Sequence, residues 1–456
     1  MTLPASGAIT ASAINKELGK STTSALSLNN GYARSLISTP TGAVSMNNFH
    51  SKYGMWIGTL PYTAYSISVD GNGNVYVASR NGYYLKFYLN TGLAIGNDVR
   101  YGVSTWRLKA NSDGSSGGCN DSGYAMTFNS AGAPSWVIRA TDVHGSKVRF
   151  DNVLIGASAS NYYFVGDLFD ASVNTHVTVV KTNSSGTVQW QLQKTAITWD
   201  TSETSSAGID ASDNTFVLSS HRDGSNNEYV NIMKISSGGG LSWERNITVS
   251  GGTSGAVKPC YNTTLAVDTT GSVYAIAFAW SNSVTTLLKY NSSGVLQWQL
   301  STGTSVGYLA AAVCDSSNNV YFVFRDNSYD MRITKLNSSG SVLWQRDLTN
   351  GAAIWSSNIA LSVDAYDNLL LATNVIFGST GYGFIARLPN DGGGTGTYTI
   401  SGNSLTYVSS AYSLSAGSLV DSAGTAGLSA ASSSIVSSSM STSSYSPTTS
   451  FAGLNL

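Results

Sequence analysis

A ten-residue pattern returns along this chain at nearly regular intervals, and few folds accommodate such a repeat. It stands as Lys181-Thr-Asn-Ser-Ser-Gly-Thr-Val-Gln-Trp190, Lys289-Tyr-Asn-Ser-Ser-Gly-Val-Leu-Gln-Trp298 and Lys335-Leu-Asn-Ser-Ser-Gly-Ser-Val-Leu-Trp344. Lys234-Ile-Ser-Ser-Gly-Gly-Gly-Leu-Ser-Trp243 keeps the length but lacks the Asn, and a degenerate copy, Phe128-Asn-Ser-Ala-Gly-Ala-Pro-Ser-Trp136, precedes them all. Each reads as an apolar strand, a Ser/Gly turn and a second strand of alternating apolar residues, which is a hairpin. Another hairpin recurs between the copies, with an Asp opening its turn: Asp70, Asp210, Asp268, Asp315 and Asp364 each follow an apolar strand and precede one such as Val-Tyr-Val or Thr-Phe-Val. One unit is therefore two hairpins, or four strands.

The intervals between the last four of these aspartates are 58, 47 and 49 residues, and the 140 residues from Asp70 to Asp210 hold two more degenerate units. The 335 positions from 66 to 400 thus accommodate seven units. Four short strands per repeat of this length predict an all-β fold, a β-propeller of about seven four-stranded blades over residues 55–400. A β-helix has shorter rungs, and a sandwich does not repeat its sequence.

Composition excludes several classes. Only 24 Lys+Arg and 25 Asp+Glu occur in 456 residues, with four glutamates, too few charges for the exposed faces of a long helical protein. A net charge of −1 does not suit a protein held on nucleic-acid phosphates. No run approaches the length of a membrane span, and residues 1–7 show no secretory n-region, so no membrane insertion is expected. Cys119, Cys260 and Cys314 are widely separated and odd in number, which reads as free thiols in a reducing compartment. The sequons at Asn183, Asn291 and Asn337 read as turns.

The flanks differ from the repeats. Residues 1–54 contain three short helical patterns and form a small unit that must dock to be stable. From Gly392 to Leu456 the only acidic or basic side chain is Asp421, and residues 413–450 contain 16 Ser in 38. The alternation in Leu405-Thr-Tyr-Val408 and the ending Phe451-Ala-Gly-Leu-Asn-Leu456 favour, for residues 401–456, an extension ordered on a partner over a disordered tail.

Leu3-Pro-Ala-Ser-Gly7, Ile14-Asn-Lys-Glu-Leu-Gly19 and Ser45-Met-Asn-Asn-Phe49 resemble the N-terminal module of many bacteriophage tail and baseplate polypeptides. The repeats are similar to bacterial and phage propeller repeats of the Asp-turn/Trp type, and residues 384–398 look like the last blade of propellers in marine phage structural proteins. The resemblance implies a virion protein assembled in the host cytoplasm, attached to other virion proteins through residues 1–54 (Ile14, Leu18, Leu36, Met46 and Phe49), as a homo-oligomer in the particle. The repeats also look like those of quinone-dependent dehydrogenase propellers, but the adjacent cysteines and acidic calcium cluster of those enzymes are missing.

Candidate chemistry is sparse. His50, His144, His176 and His221 fall in different units without metal-ligand spacing, and neither a Gly-x-Ser-x-Gly elbow nor a P-loop occurs. Asp70-Gly-Asn-Gly-Asn74 starts like a calcium loop, but Val75 and Asn81 stand where Gly and Glu are needed. The regular aspartates read as turn formers and the periodic tryptophans as packing between blades. Trp106, Trp199, Trp280 and Trp355, out of phase with the repeat, and the pairs Tyr83-Tyr84 and Tyr162-Tyr163 are the candidates for stacking on sugars. The expectation is a non-enzymatic tail protein, of tail-fibre or baseplate type and without cofactor, that recognises a host surface glycan or receptor by non-covalent adhesion. A purely architectural component and a glycan depolymerase with two carboxylates in one pocket are the alternatives.

Overall fold

The computed structural model describes residues 56–60 and 63–452. Within the latter span it leaves out 80–82, 89–97, 102–106, 142–147, 158–159, 170–174, 195–205, 223–227, 250–256, 260–263, 281–282, 304–305, 350–357, 378–379, 401–402, 411, 425–427, 431–433, 438–441 and 446–449. The helical patterns expected in residues 1–54 lie outside the described residues, and the described residues contain no helix.

Their strands form seven antiparallel sheets. From the inside outward, the first is Ala64–Val69, Asn74–Ser79, Tyr83–Tyr88 and Asp98–Tyr101; the second Arg107–Ala110, Ser116–Cys119, Tyr124–Phe128 and Pro134–Thr141; the third Arg149–Ile155, Asn161–Phe169, Thr175–Asn183 and Val188–Lys194. The fourth is Ser206–Ile209, Thr215–Arg222, Glu228–Ile235 and Leu241–Thr248. In the fifth, the inner strand is interrupted into Val257–Pro259 and Leu265–Val267, followed by Val273–Ala279, Val284–Tyr290 and Leu296–Ser301. The sixth is Val306–Cys314, Val320–Asp326, Met331–Leu336 and Val342–Thr349. The seventh takes Ile359–Val363, Leu369–Phe377 and Thr380–Leu388 from one end of the repeats and its fourth strand, Trp56–Leu60, from the other. That strand closes the ring, and its register sets Trp56 opposite Arg387, as Trp298 stands opposite Lys289.

Inner strands of successive sheets touch in chain order, and the seventh touches the first. One apolar cluster fills each interface between neighbouring sheets. A middle strand is thus covered on both faces, which is why Val273–Ala279 is apolar throughout and buried at every position.

The turns wire each sheet to the next. The aspartates act as turn formers: Asp210 Oδ1 accepts the amides of Ser212 and Asn214, both at 2.9 Å, and Asp315 Oδ1 those of Ser317 and Asn319 at 3.0 and 2.8 Å. The Asn-Ser-Ser-Gly turns use the same geometry, Asn183 Oδ1 accepting from Ser185 and Thr187. Each repeat tryptophan reaches into the following sheet: the indole N–H of Trp136, Trp190, Trp243, Trp298 and Trp344 donates to the carbonyl of Ser184, Ser237, Ser292, Ser338 and Asn390, at 2.9–3.2 Å. The lysine opening each repeat aims at the same kind of carbonyl, Lys289 at Ser338 and Lys335 at Asn390. Packing between blades therefore accounts for the periodic tryptophans. Gly294 shows why the turn needs glycine: its φ is +79°, and a Cβ there would stand 2.7 Å from the Trp243 ring.

The Ser-rich extension orders on its own propeller rather than on a separate partner. Its hairpin of Gly396–Ile400 with Asn403–Ser409 gives the sixth sheet its two outermost strands, and the rest contributes one outermost strand to each of the other six. Asn403–Ser409 pairs with the sixth sheet, Ser415–Ala416 with the fifth, Val420–Ala423 with the fourth and Leu428–Ala430 with the third. Ser434–Ser437, Thr442–Tyr445 and Ser450–Ala452 follow on the second, first and seventh sheets. The tail is a belt that circles the ring against the direction of the repeats, so residues 403–452 belong to the propeller and not to a separate domain. Asp421, its one charge, is tied to Arg245 through both carboxylate oxygens and receives the Tyr290 hydroxyl at 3.1 Å.

Candidate functional site

The seven inner strands surround a channel of about 350 Å³. Strand pleating decides what faces it. In Arg107–Ala110, Leu108 and Ala110 enter the cluster between the first and second sheets, leaving Arg107 and Lys109 to the channel side. The other sheets line it mainly with aliphatic residues, among them Val69, Ile155, Ile209, Val267 and Val363, with Cys314 near one end.

Arg107 and Lys109 are the charged residues of this lining. Arg107 bridges the neighbouring inner strands, Nε donating to the Asp151 carbonyl at 2.9 Å and Nη1 to that of Tyr65 at 3.2 Å. Burial lowers its pKa, with Asp151 opposing. Desolvation pushes the Lys109 pKa down. Burial also pushes the Cys314 thiol well up, away from a reactive thiolate. A cationic, hydrogen-bonding wall in an aliphatic channel is suited to hold an anionic or polar group non-covalently.

The sequence candidates fare unevenly. Trp280, beside the turn between the second and third strands of the fifth sheet, is 48% exposed and rests edge-on against Phe278 at 5.1 Å. Trp106, Trp199 and Trp355 lie outside the described residues, as do Ile14, Leu18, Leu36, Met46 and Phe49. Tyr162 and Tyr163 are not available for sugars: both are buried, Tyr162 edge-on to Trp136 and Tyr163 to Trp190.

Asp70 is fully engaged as a turn former, accepting from the Asn72 and Asn74 amides, the Asn74 side chain and the Tyr76 hydroxyl. His176 and His221 are buried in separate hydrogen bonds, to the Lys194 carbonyl and the Ser219 hydroxyl. Among the described residues, no three His, Cys, Asp or Glu gather as for a metal ion. Cys119 and Cys314 are free thiols. The sequence reading missed Arg107 and Lys109, although two cations at alternate positions of an inner strand were a visible signal.

A closed ring of radial antiparallel sheets around a channel defines a β-propeller, here one with a belt. No family model matches the chain, and no curated protein matches it. Among solved structures, BamB from Moraxella catarrhalis is similar over 72% of this chain and 84% of its own, at 12% identity and a TM-score of 0.37. The WD40 β-propeller domain of Doa1 is similar over 73% of this chain and 96% of its own, at 11% identity and a TM-score of 0.47. These are likenesses of fold alone, and the assignment rests on the strand order.

Proposed function

We propose that this chain is a structural protein of a bacteriophage tail, attached to the particle by residues 1–54, whose propeller adheres non-covalently to an anionic or polar group on the host surface. One observation carries the adhesive part of the reading. The repeat lysines and aspartates are consumed in bonds within and between sheets, whereas Lys109 lines an aliphatic channel, beside an Arg107 that the Asp151 and Tyr65 carbonyls hold in place. Such a wall holds a ligand by charge, hydrogen bonds and apolar contact; it sets no acid beside a base. The virion placement is supported by the resemblance of residues 3–54 to phage tail modules.

The test is binding of the full chain to host cells and to their purified surface polysaccharide. Saturable binding that weakens in Lys109→Met, without release of reducing sugar, is the expected result. Release of reducing ends would move the protein to the depolymerases, and absence of binding by folded protein would leave it architectural. Particles assembled with a chain lacking residues 1–54 should lose the protein; normal incorporation would refute attachment through that segment.

A further inference from the structure

A polar cluster between the third and fourth sheets is sealed from water. Lys194 is 1% exposed, Asn231 0% and Glu244 7%. Two nitrogens converge on a single oxygen there: Lys194 Nζ donates to Glu244 Oε1 at 2.6 Å, and Asn231 Nδ2 donates to the same atom at 2.7 Å. A further bond from Asn231 Nδ2 to Asn246 Oδ1, at 2.7 Å, fixes the carboxamide. Asn231 Oδ1 and Glu244 Oε2 are buried without a hydrogen-bond partner, so the cluster is not a fully satisfied ion pair. The belt crosses directly over it, where the Gly424 amide donates to the Glu244 carbonyl and a Cβ at 424 would fall 2.3 Å from Glu244 Cγ.

We infer that Lys194, Asn231 and Glu244 form a self-crosslinking site, in which the Lys194 amine displaces ammonia from the Asn231 carboxamide and leaves an isopeptide bond between the third and fourth sheets. The amine must be neutral to attack, and desolvation lowers the Lys194 pKa although Glu244 opposes it. The ammonium passes a proton to Glu244 across their hydrogen bond. Lys194 Nζ then bonds to Asn231 Cγ, and the electron pair of the C=O moves to Oδ1. Glu244 gives its proton to Asn231 Nδ2 and takes one from Nζ; the carbonyl reforms as the Cγ–Nδ2 bond breaks and ammonia leaves. No oxidant or cofactor is required. The fixed approach of both nitrogens to one carboxylate supplies the proximity, and the dry site protects the product from hydrolysis.

Intact-mass measurement of the purified full chain tests this directly. The expected mass is that of the sequence less one ammonia, with a branched tryptic peptide in which residues 182–222 are joined to residues 223–234 and cleavage after Lys194 is blocked. Lys194→Arg keeps the cation but not the nucleophile, so it should restore the full mass in a folded protein; Glu244→Gln should do the same. An intact mass equal to the sequence value with free cleavage after Lys194, or an ammonia loss that maps to another asparagine, would overturn the site. Crosslinking that persists in Glu244→Gln would remove Glu244 from its role.

Discussion

The tryptophan-bearing turns and the C-terminal belt both hold the ring together, but they use different parts of the chain. In the turns, side chains carry the contact: a Trp, a Lys, an Asn and a Gly must each stand at one place, because an indole N–H has to meet one carbonyl and a ring has to fit over one glycine. In the belt, backbone pairing carries most of it. Its strands offer amides and carbonyls to the outermost strand of every sheet, with a few anchoring side chains such as Leu405, Tyr407, Leu419 and Asp421. The first kind of contact restricts sequence tightly; the second tolerates Ser, Thr or Ala almost anywhere. Covering every long fourth strand also leaves only strands of two to five residues at the outer edges, too short to template pairing with another chain.

Removing the belt should have the largest effect. Truncation after residue 401 leaves seven edges unpaired, and at about 1 kcal/mol net per backbone hydrogen bond, offset in large part by the entropy of ordering the belt, the loss is on the order of 5–10 kcal/mol. Calorimetry should show a melting midpoint lower by roughly 10 °C or more, and size-exclusion chromatography should show concentration-dependent association. If truncation costs less than one repeat tryptophan, the belt is an ornament and the comparison fails.

Trp243→Ala is expected to rank second. It removes a half-buried ring packed against Phe216 and Tyr290 and leaves the Ser292 carbonyl without its indole donor. About 2–3 kcal/mol should be lost in chemical denaturation. Gly294→Ala, on the other side of the same contact, should cost about 1–2 kcal/mol through its positive φ and the ring it meets. If the two substitutions together cost the sum of their separate effects, the turn and the ring are not one unit. Arg245→Ala sharpens the belt side: a partly exposed pair with Asp421 should contribute only about 1 kcal/mol, because backbone pairing remains.

The same contrast explains what the sequence disclosed. The propeller and the roles of Asp210 and Trp298 were legible, since a residue that must meet a fixed partner recurs at a fixed interval. In sequence the belt looks like an extension awaiting a partner, because backbone pairing leaves no period strong enough to see; only Leu405-Thr-Tyr-Val408 shows strand alternation. Trp56 escaped notice because its repeat is split between the two ends of the chain. Lys194, Asn231 and Glu244 were invisible for another reason: Lys194 comes from the third sheet and the other two from the fourth, so the three meet only once the ring forms. Arg107 and Lys109 showed an alternation that needed the channel to give it meaning.

The smallest expected effect concerns the charge of one turn. Burial alone would raise the Asp210 carboxyl, but bonds from the Asn214 side chain and from the amides of Asn214 and Ser212, with Lys234 beside it, bring it below the ordinary carboxylate range. A carboxylate lowered on folding stabilises the protein fully above its unfolded pKa of about 3.9, and that contribution fades as pH falls through this value toward the folded one. Asp210→Asn keeps the turn geometry, because an asparagine makes the same bonds elsewhere in the ring: Asn120, opening the turn between the second and third strands of the second sheet, accepts from the Ser122 and Tyr124 amides at 3.0 Å. What it loses is the attraction to Lys234, 3.4 Å away, and one acceptor oxygen for the Asn214 side chain. The wild-type chain should therefore melt slightly above the variant at pH 6, and the gap should close as the pH is taken below 4. A gap that stays constant would mean that the hydrogen-bond pattern alone holds the turn, placing the aspartates with the belt as contacts indifferent to charge.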